Sequence, residues 1–400
     1  MNPPTVGGAG PGLRDLRPGE VFVVCDDSRV GGSRSLLFHD PDDVVVCTDP
    51  SQAVRAFERI DAGVRAGLHA AGWFSYELGY HLEPHLAPLA PSDAGQPPLI
   101  MMGLFRERTS MPALERDSFW DEAGEPPTIT DVRLTMDRAA YVAAVEAVRE
   151  LILDGATYQV NLTLKYRFTV DGAPTALYAA LRQRQRTRCS AFVGWEEGSV
   201  LSLSPESFFV RQGSHIEVRP MKGTLPAGGD EEETRRSSEW LQSDPKSRAE
   251  NIMIVDLLRN DLARISVPGT VRVPSLLDVE RYETVLQMTS TIEAELAGDP
   301  SIQQLIQALF PCGSVTGAPK VSTMEIIREL ESEPRGVYTG AIGYVSGDEA
   351  AFNVAIRTLC LDRDGGSELG VGSGILVDSD AEAEYEECLL KGKFLTDLQK

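Results

Sequence analysis

The chain is poor in positive charge, in paired cysteines and in long apolar runs, and each shortage removes a class of function. Lysine and arginine number 38 against 60 aspartates and glutamates, a formal net charge of −22 over 400 residues. A field of that sign repels a phosphate backbone, so no nucleic acid is expected as a partner. The six cysteines (Cys25, Cys47, Cys189, Cys312, Cys360 and Cys388) are scattered, with no CxxC pair and no metal-ligand spacing. They read as small buried apolar side chains in a reducing compartment. No run approaches the roughly 18 apolar residues of a membrane span. The opening MNPPTVGGAGPG has neither a basic start nor an apolar core. A cytoplasmic protein without membrane contact is expected. The GxCxG nucleophile motif of a glutaminase and internal repeats are also missing.

What is present is a hydrophobic content of 42%, enough for a full-sized core. The Gly/Pro-rich first dozen residues are expected to be disordered. EVFVVC and DVVVCT read as strands, SQAVRAFERIDAGVRAGLHA as an amphipathic helix, and AGWFSYELGY as a strand entering a turn. DEAGEPPTIT has the composition of a boundary, dividing a region 1–128, whose strands and helix pack on the main domain, from a catalytic domain 129–400. DRAAYVAAVEAVRELILDG then predicts a helix with Asp137 as N-cap and Gly155 as stop. YQVNLTLKYRFTV, SAFVGW, VLSLSPESFFVRQ, HIEVRP, TVRVPS, VYTGAIGYVS, AAFNVAIRTLCL and SELGVGSGILV read as strands. Helices are expected at SRAENIMIVDLLRNDLARI, KVSTMEIIREL and DAEAEYEECLLKGKFLTDLQ. Strands that arrive in runs argue for an α+β fold of large antiparallel sheets with helices outside.

Carboxylates supply the first chemical signal. Glu384, Glu387 and Lys391 fall at i, i+3 and i+7, on one face of the last helix. The plain alternative is a solvated charged face. Just before it, GVGSG sets three glycines in five residues of a strand, which suggests either a β-bulge or backbone brought close to a ligand. Glu250 stands near the start of a helix whose following residues are almost all apolar, so that helix should be buried and its acid should need a partner. Two carboxylates from different helices plus an anionic substrate make the usual protein share of a magnesium site.

Four stretches in order, PMKGT, AENIMIVDLLRNDL, FPCGSVTGAPK and GSGILVDSDAEAEYEECLLK, resemble the chorismate-utilising enzymes, among them the component I chains of anthranilate and aminodeoxychorismate synthases and the isochorismate and salicylate synthases. The resemblance runs from about residue 130 onward in full, and more loosely before it through GWFSYELGY. It implies two antiparallel sheets packed together, flanked by helices, with the active site in a cleft among them. It also implies magnesium held by Glu250 and Glu387 with Glu384 alongside. Tyr338, Arg357, Lys391, Thr316 and the Gly372–Ser373–Gly374 segment are implied as substrate contacts. Chorismate is a dianion, so a body this acidic must build a local positive site. For Arg357 the alternative is a buried salt bridge, and for Tyr338 it is core packing.

Two positions sort the subfamilies. The water-adding relatives carry a lysine base where this chain has Gln159, and glutamine cannot deprotonate water. Lys222 of PMKGT resembles the lysine of aminodeoxychorismate synthases, whereas anthranilate synthases carry a small residue there. The resemblance implies that Lys222 is a nucleophile and Glu206 the general acid, with ammonia delivered by a separate glutamine amidotransferase subunit. The alternatives are anthranilate synthase component I, an aminodeoxyisochorismate-forming relative, and a non-catalytic homologue. Ser247, Leu225, Leu286 and Gln287 depart from the family pattern, the first from an acid, the second from arginine and the last two from histidine.

Overall fold

The structure is a computed structural model that describes residues 12–17, 19–32, 35–91, 97–226, 230–281 and 285–399. The Gly/Pro-rich opening, expected to be disordered, lies outside the described residues up to residue 11. In chain order the elements are β1 (Phe22–Asp26), β2 (Ser35–Phe38), β3 (Asp43–Cys47), α1 (Ala53–Arg65), β4 (His69–Phe74), α2 (Leu78–Leu82), β5 (Ile100–Phe105), β6 (Thr109–Met111), α3 (Ala113–Asp121) and β7 (Thr128–Leu134). Then follow α4 (Arg138–Leu153), β8 (Gln159–Asp171), α5 (Pro174–Arg184), β9 (Cys189–Trp195), β10 (Gly198–Ser204), β11 (Ser207–Gln212), β12 (His215–Arg219), β13 (Met221–Pro226), α6 (Glu231–Ser243) and α7 (Pro245–Ala263). The chain closes with β14 (Arg272–Arg281), β15 (Val285–Glu295), α8 (Ile302–Leu309), β16 (Gly317–Ala318), α9 (Lys320–Leu330), β17 (Ala341–Ser346), β18 (Glu349–Val354), β19 (Thr358–Asp362), β20 (Gly366–Ile375) and α10 (Ala381–Thr396).

Among the described residues the strands form two ten-stranded sheets. The first runs β16-β8-β20-β19-β10-β9-β1-β2-β6 with β7 also on β8; the second runs β13-β15-β12-β11-β18-β17-β4-β5-β3 with β14 also on β15. Trp73 of the second sheet meets Trp195 of the first edge to face at 5.4 Å, within an inter-sheet core that includes Val23, Phe38, Phe105 and Ile342. The far face of the first sheet is covered by α4, α5, α9 and α10 through residues such as Tyr141, Leu177, Ile327 and Tyr385. That of the second is covered by α1, α7 and α8 through Phe57, Ile254 and Leu305. The result is the expected α+β sandwich of four layers.

Both sheets run across residue 128: β1 pairs with β9 from Phe22↔Gly194 to Asp26↔Ser190, and β4 pairs with β17 from Phe74↔Ala341 to His69↔Ser346. Three sequence expectations need correction. The helix expected to run to Ala70 stops at Arg65, because Gly67 at φ +91° ends it and His69 opens β4. VLSLSPESFFVRQ is two strands in different sheets, since Pro205 interrupts the ladder and Glu206 sits at the crossing. AAFNVAIRTLCL likewise divides into β18 and β19, with Arg357 between them at φ +49°. The helix over 138–153 is as expected, with the Asp137 carboxylate accepting from the Ala140 N–H at 2.9 Å and Gly155 at φ +80°. α7 is buried along one stripe only (Ile254, Val255, Leu258, Leu262), and Ile252 stays half exposed.

Candidate active site

Lys222 lies in β13. It stands opposite Met288 in the β13–β15 ladder, and the register slips between Lys222 and Thr224, where Gly223 takes φ +76°. The slip turns the lysine out of the regular alternation. Its side chain is half buried and makes no hydrogen bond or ion pair to any other described residue. A β-carbon placed on Gly374 would lie 3.5 Å from Lys222 Nζ and 2.8 Å from Gln159 Nε2, so β13, β8 and β20 converge there. Gln159 is fully buried, yet both polar atoms of its amide lack a partner. A buried amide costs free energy unless something completes its hydrogen bonds, so this one is an open polar socket beside the lysine.

Glu206, buried on the crossing between the sheets, faces the same lysine. Burial raises its carboxyl to about 7, against the opposing pull of a hydrogen bond from Ser314 and of the Lys222 charge. Its Oε1 has no partner. A buried carboxylic acid with an unpartnered oxygen and a pKa raised to about 7 is suited to donating a proton.

The three acids implied as metal ligands stand on α7 and α10. Burial, then repulsion from Glu387 and Glu384, raise Glu250, partly offset by Lys222 and Lys246. Partial burial works against ionisation at Glu387 too, but Lys391, Lys222 and Lys246 outweigh it and hold that group low. Lys391 Nζ bonds Glu387 at 2.6 Å and donates to the Gly372 carbonyl at 2.7 Å. Buried Glu384 accepts from Ser379 Oγ at 2.7 Å and from Lys246 Nζ at 3.3 Å. Among the described residues no three acidic, imidazole or thiol groups close into a cage. Three carboxylates that repel one another and lean on lysines still suit a hard cation that keeps most of its water, so the donor set fits magnesium.

The substrate contacts implied by the sequence divide into several cases. β20 pairs with β8 without interruption from Gly366↔Thr169 to Ile375↔Val160, which excludes a bulge at GVGSG. The glycines instead clear one face: a β-carbon on Gly370 would collide with the Tyr338 ring, and one on Gly372 with Leu162 O and Thr163. Ser373 points to the opposite face, where its hydroxyl meets Tyr141 at 2.8 Å, leaving only its backbone for a ligand. The Thr316 hydroxyl donates back to the Cys312 carbonyl at 3.0 Å, so its proton is committed to its own turn, while Thr316 O receives the Asn161 N–H at 2.7 Å. Tyr338 is buried with its ring against Gly370, which is the packing alternative. Arg357 is not in a salt bridge among the described residues; Nη1 donates to Gln185 Oε1 at 2.7 Å, and burial alone pulls its pKa down. A desolvated guanidinium without an anionic neighbour still has N–H donors of the kind that suit a carboxylate.

Sequence reasoning missed Ser314 and Lys246. The signal for Lys246 was its i−4 spacing from Glu250; Ser314 stood inside FPCGSVTGAPK without a reason to be singled out. The departures find physical places. Leu286 packs with Leu241, Leu277 and Met288 under α6. Gln287 is buried with Oε1 unpartnered. Ser247 Oγ would lie 3.0 Å from a β-carbon on Gly223, beside the lysine.

Comparison with known proteins agrees with this fold. A model of the chorismate binding enzyme family matches residues 30–397. Aminodeoxychorismate synthase component 1 of Salmonella typhimurium is 40% identical over 275 residues, 67% of this chain and 60% of that protein. The protein of the same name from Escherichia coli is 37% identical over 351 residues, 83% of this chain and 77% of its own length. Anthranilate synthase component 1 of Thermus thermophilus is 35% identical over 81% of this chain and 76% of its own length. The chain thus spans between three fifths and about three quarters of these relatives. The crystal structure of anthranilate synthase component I from Streptococcus pneumoniae TIGR4 superposes with a TM-score of 0.78 at 24% identity, covering 91% of this chain and 92% of the other, and thus shares the fold. Matched by that family model over nearly its whole length and by relatives at 35 to 40% identity, the chain belongs to the chorismate binding enzyme family.

Proposed function

We propose that the chain is the synthase component that aminates chorismate at ring carbon 4, giving 4-amino-4-deoxychorismate for para-aminobenzoate and folate synthesis, with ammonia supplied by a separate glutamine amidotransferase subunit. The observation that carries this reading is Lys222: an amine without an ion-pair partner among the described residues, beside the open amide of Gln159 and the near-neutral acid Glu206. Relatives named aminodeoxychorismate synthase component 1 support it, and the words "component 1" suit a partner subunit.

In this reading Lys222, as the free amine, forms a bond to ring carbon 2 while the ring double bond shifts and the carbon–oxygen bond at carbon 4 breaks. Glu206 gives its proton to the departing hydroxyl, which leaves as water. Ammonia then bonds to carbon 4, the double bond shifts back, and the Lys222 electron pair leaves carbon 2; the proton lost by the new amine returns the acid to its starting state. The net change is chorismate plus ammonia to aminodeoxychorismate plus water. Glu250, Glu387 and Glu384 would hold magnesium, which supplies charge neutralisation for a substrate carboxylate. Arg357 receives the other carboxylate through its free guanidinium edge. Gln159 offers an acceptor and a donor at the reacting face but no base, which disfavours hydration of the ring.

The test is the product formed from chorismate and ammonium. Nitrogen on carbon 4, located by NMR, supports the reading. Anthranilate, or an amine on carbon 2, would move the chain to the alternative that the Thermus thermophilus relative represents. Binding without turnover would leave a non-catalytic homologue.

A further inference from the structure

Arg335 belongs to none of the groups that face Lys222, yet it is among the largest fully buried side chains and all five of its guanidinium N–H donors are used. Nε and Nη2 bind the two oxygens of Glu331 on the turn after α9, at 2.9 and 2.6 Å. The remaining donors reach three separate segments. Nη2 also donates to the Asn161 carbonyl at 2.6 Å, two residues from Gln159. Nη1 donates to the Val315 carbonyl at 2.8 Å, next to Thr316, and to Thr339 Oγ1 at 3.3 Å, next to Tyr338.

The anchor is itself fixed from several sides. The Arg335 and Gly336 backbone N–H groups donate to the two oxygens of buried Glu77 at 2.7 and 2.9 Å, and the guanidinium lies 4.5 Å from the centre of the Tyr76 ring. Glu331 Oε1 also accepts the Thr163 N–H at 2.9 Å, tying the acid to β8 as well. Thr339 sits at φ +60°, an unfavourable region for a β-branched residue, and its hydroxyl bonds both Arg335 and the Tyr338 carbonyl. The stretches bearing Gln159, Thr316 and Tyr338 are therefore spaced by one rigid planar fork.

We propose that Arg335 is a positioning residue for chorismate binding, a cross-brace that holds Gln159 on β8 in register with the Thr316 turn and with Tyr338, whose ring packs against Gly370 of the glycine-cleared strand. The inference rests on the reading that chorismate is the substrate. Only a fork does this: a lysine at the site has one nitrogen and cannot span the carbonyls of Asn161 and Val315 together with both oxygens of Glu331.

The experiment compares R335K with the charge-free pair Glu331→Gln/Arg335→Met, in which the introduced glutamine keeps an acceptor for the Thr163 N–H. Melting temperature, circular dichroism, and kcat and KM for chorismate with ammonium as nitrogen source are measured on each. Cross-bracing predicts folded proteins with KM raised about tenfold or more and kcat changed less than KM, since a misplacement of the order of an ångström weakens every contact the brace aligns. Unchanged KM, with activity falling only as the folded fraction falls, overturns the proposal. So does failure of both variants to fold, which would make Arg335 a pillar of the fold instead. If the unsubstituted chain does not aminate chorismate, the reading beneath fails first and this inference falls with it.

Discussion

Gln159 and Lys222 meet over a single glycine: the amide nitrogen and the amine close on the point where a β-carbon of Gly374 would lie, at 2.8 and 3.5 Å. Gly374 is thus kept free of a side chain by the two groups that converge on it. Gly374→Ala forces the Gln159 amide aside while leaving the β20–β8 ladder intact, since Gly374 does not take a left-handed backbone. A loss of about tenfold or more in kcat/KM is expected with little change in melting temperature. Kinetics beside a thermal scan check this; undiminished activity would mean that the convergence has no bearing on turnover.

Glu206 gives a pH prediction with a definite sign. Burial raises its folded pKa from 4.5 to about 7, so its proton-bound form, the one that can act as an acid, is lost as pH rises through about 7. One limb of the kcat/KM profile should therefore fall above that pH, and Glu206→Gln should lose about a hundredfold or more in kcat. Stability follows the same linkage. A folded pKa above the unfolded one contributes stability that is complete below the unfolded value and disappears as pH rises through the folded one. The melting temperature of the parent should thus drop relative to Glu206→Gln between pH 5 and pH 8. A difference that is flat with pH would show that Glu206 titrates normally.

The acids on α7 and α10 are expected to act on a cation. Glu250→Ala and Glu387→Ala should each abolish magnesium-dependent turnover with folding retained, and calorimetric titration of magnesium in the presence of chorismate should show the binding heat lost in both. Parent-level turnover in either variant at ordinary magnesium concentration would remove the assignment.

Some of this was legible in the sequence for physical reasons, and some was not. Local chemistry reads well: Asp137 caps its helix because its carboxylate reaches a free N–H three residues on, a relation contained in one stretch. The acid and lysine stripe of α10 reads equally well from helical spacing, and its lysine does pair with Glu387. Crossing points read poorly. Pro205 and Glu206 look like the middle of one strand, and only the pairing of β10 with β19 and of β11 with β18 shows that the chain changes sheets there. Arg357 looks like a strand residue for the same reason, although its positive φ breaks the run. The Arg335 brace was hidden because its partners, Glu77, Asn161, Val315 and Thr339, are distant in sequence or meet it through groups common to every chain: three of its bonds end on carbonyls or a common hydroxyl that carry no sequence signature.

The central claim is that Lys222 is a nucleophile and not a counter-charge, and the most direct measurement of it is peptide mapping after incubation with chorismate and magnesium in the absence of ammonia. A nucleophile leaves added mass on the peptide carrying PMKGT, Lys222→Ala abolishes both that adduct and amination, and Lys222→Arg restores neither, because a guanidinium stays protonated. No adduct on the parent, together with undiminished 4-amino-4-deoxychorismate formation by Lys222→Arg, would contradict the claim and leave Lys222 as an electrostatic anchor for a substrate carboxylate.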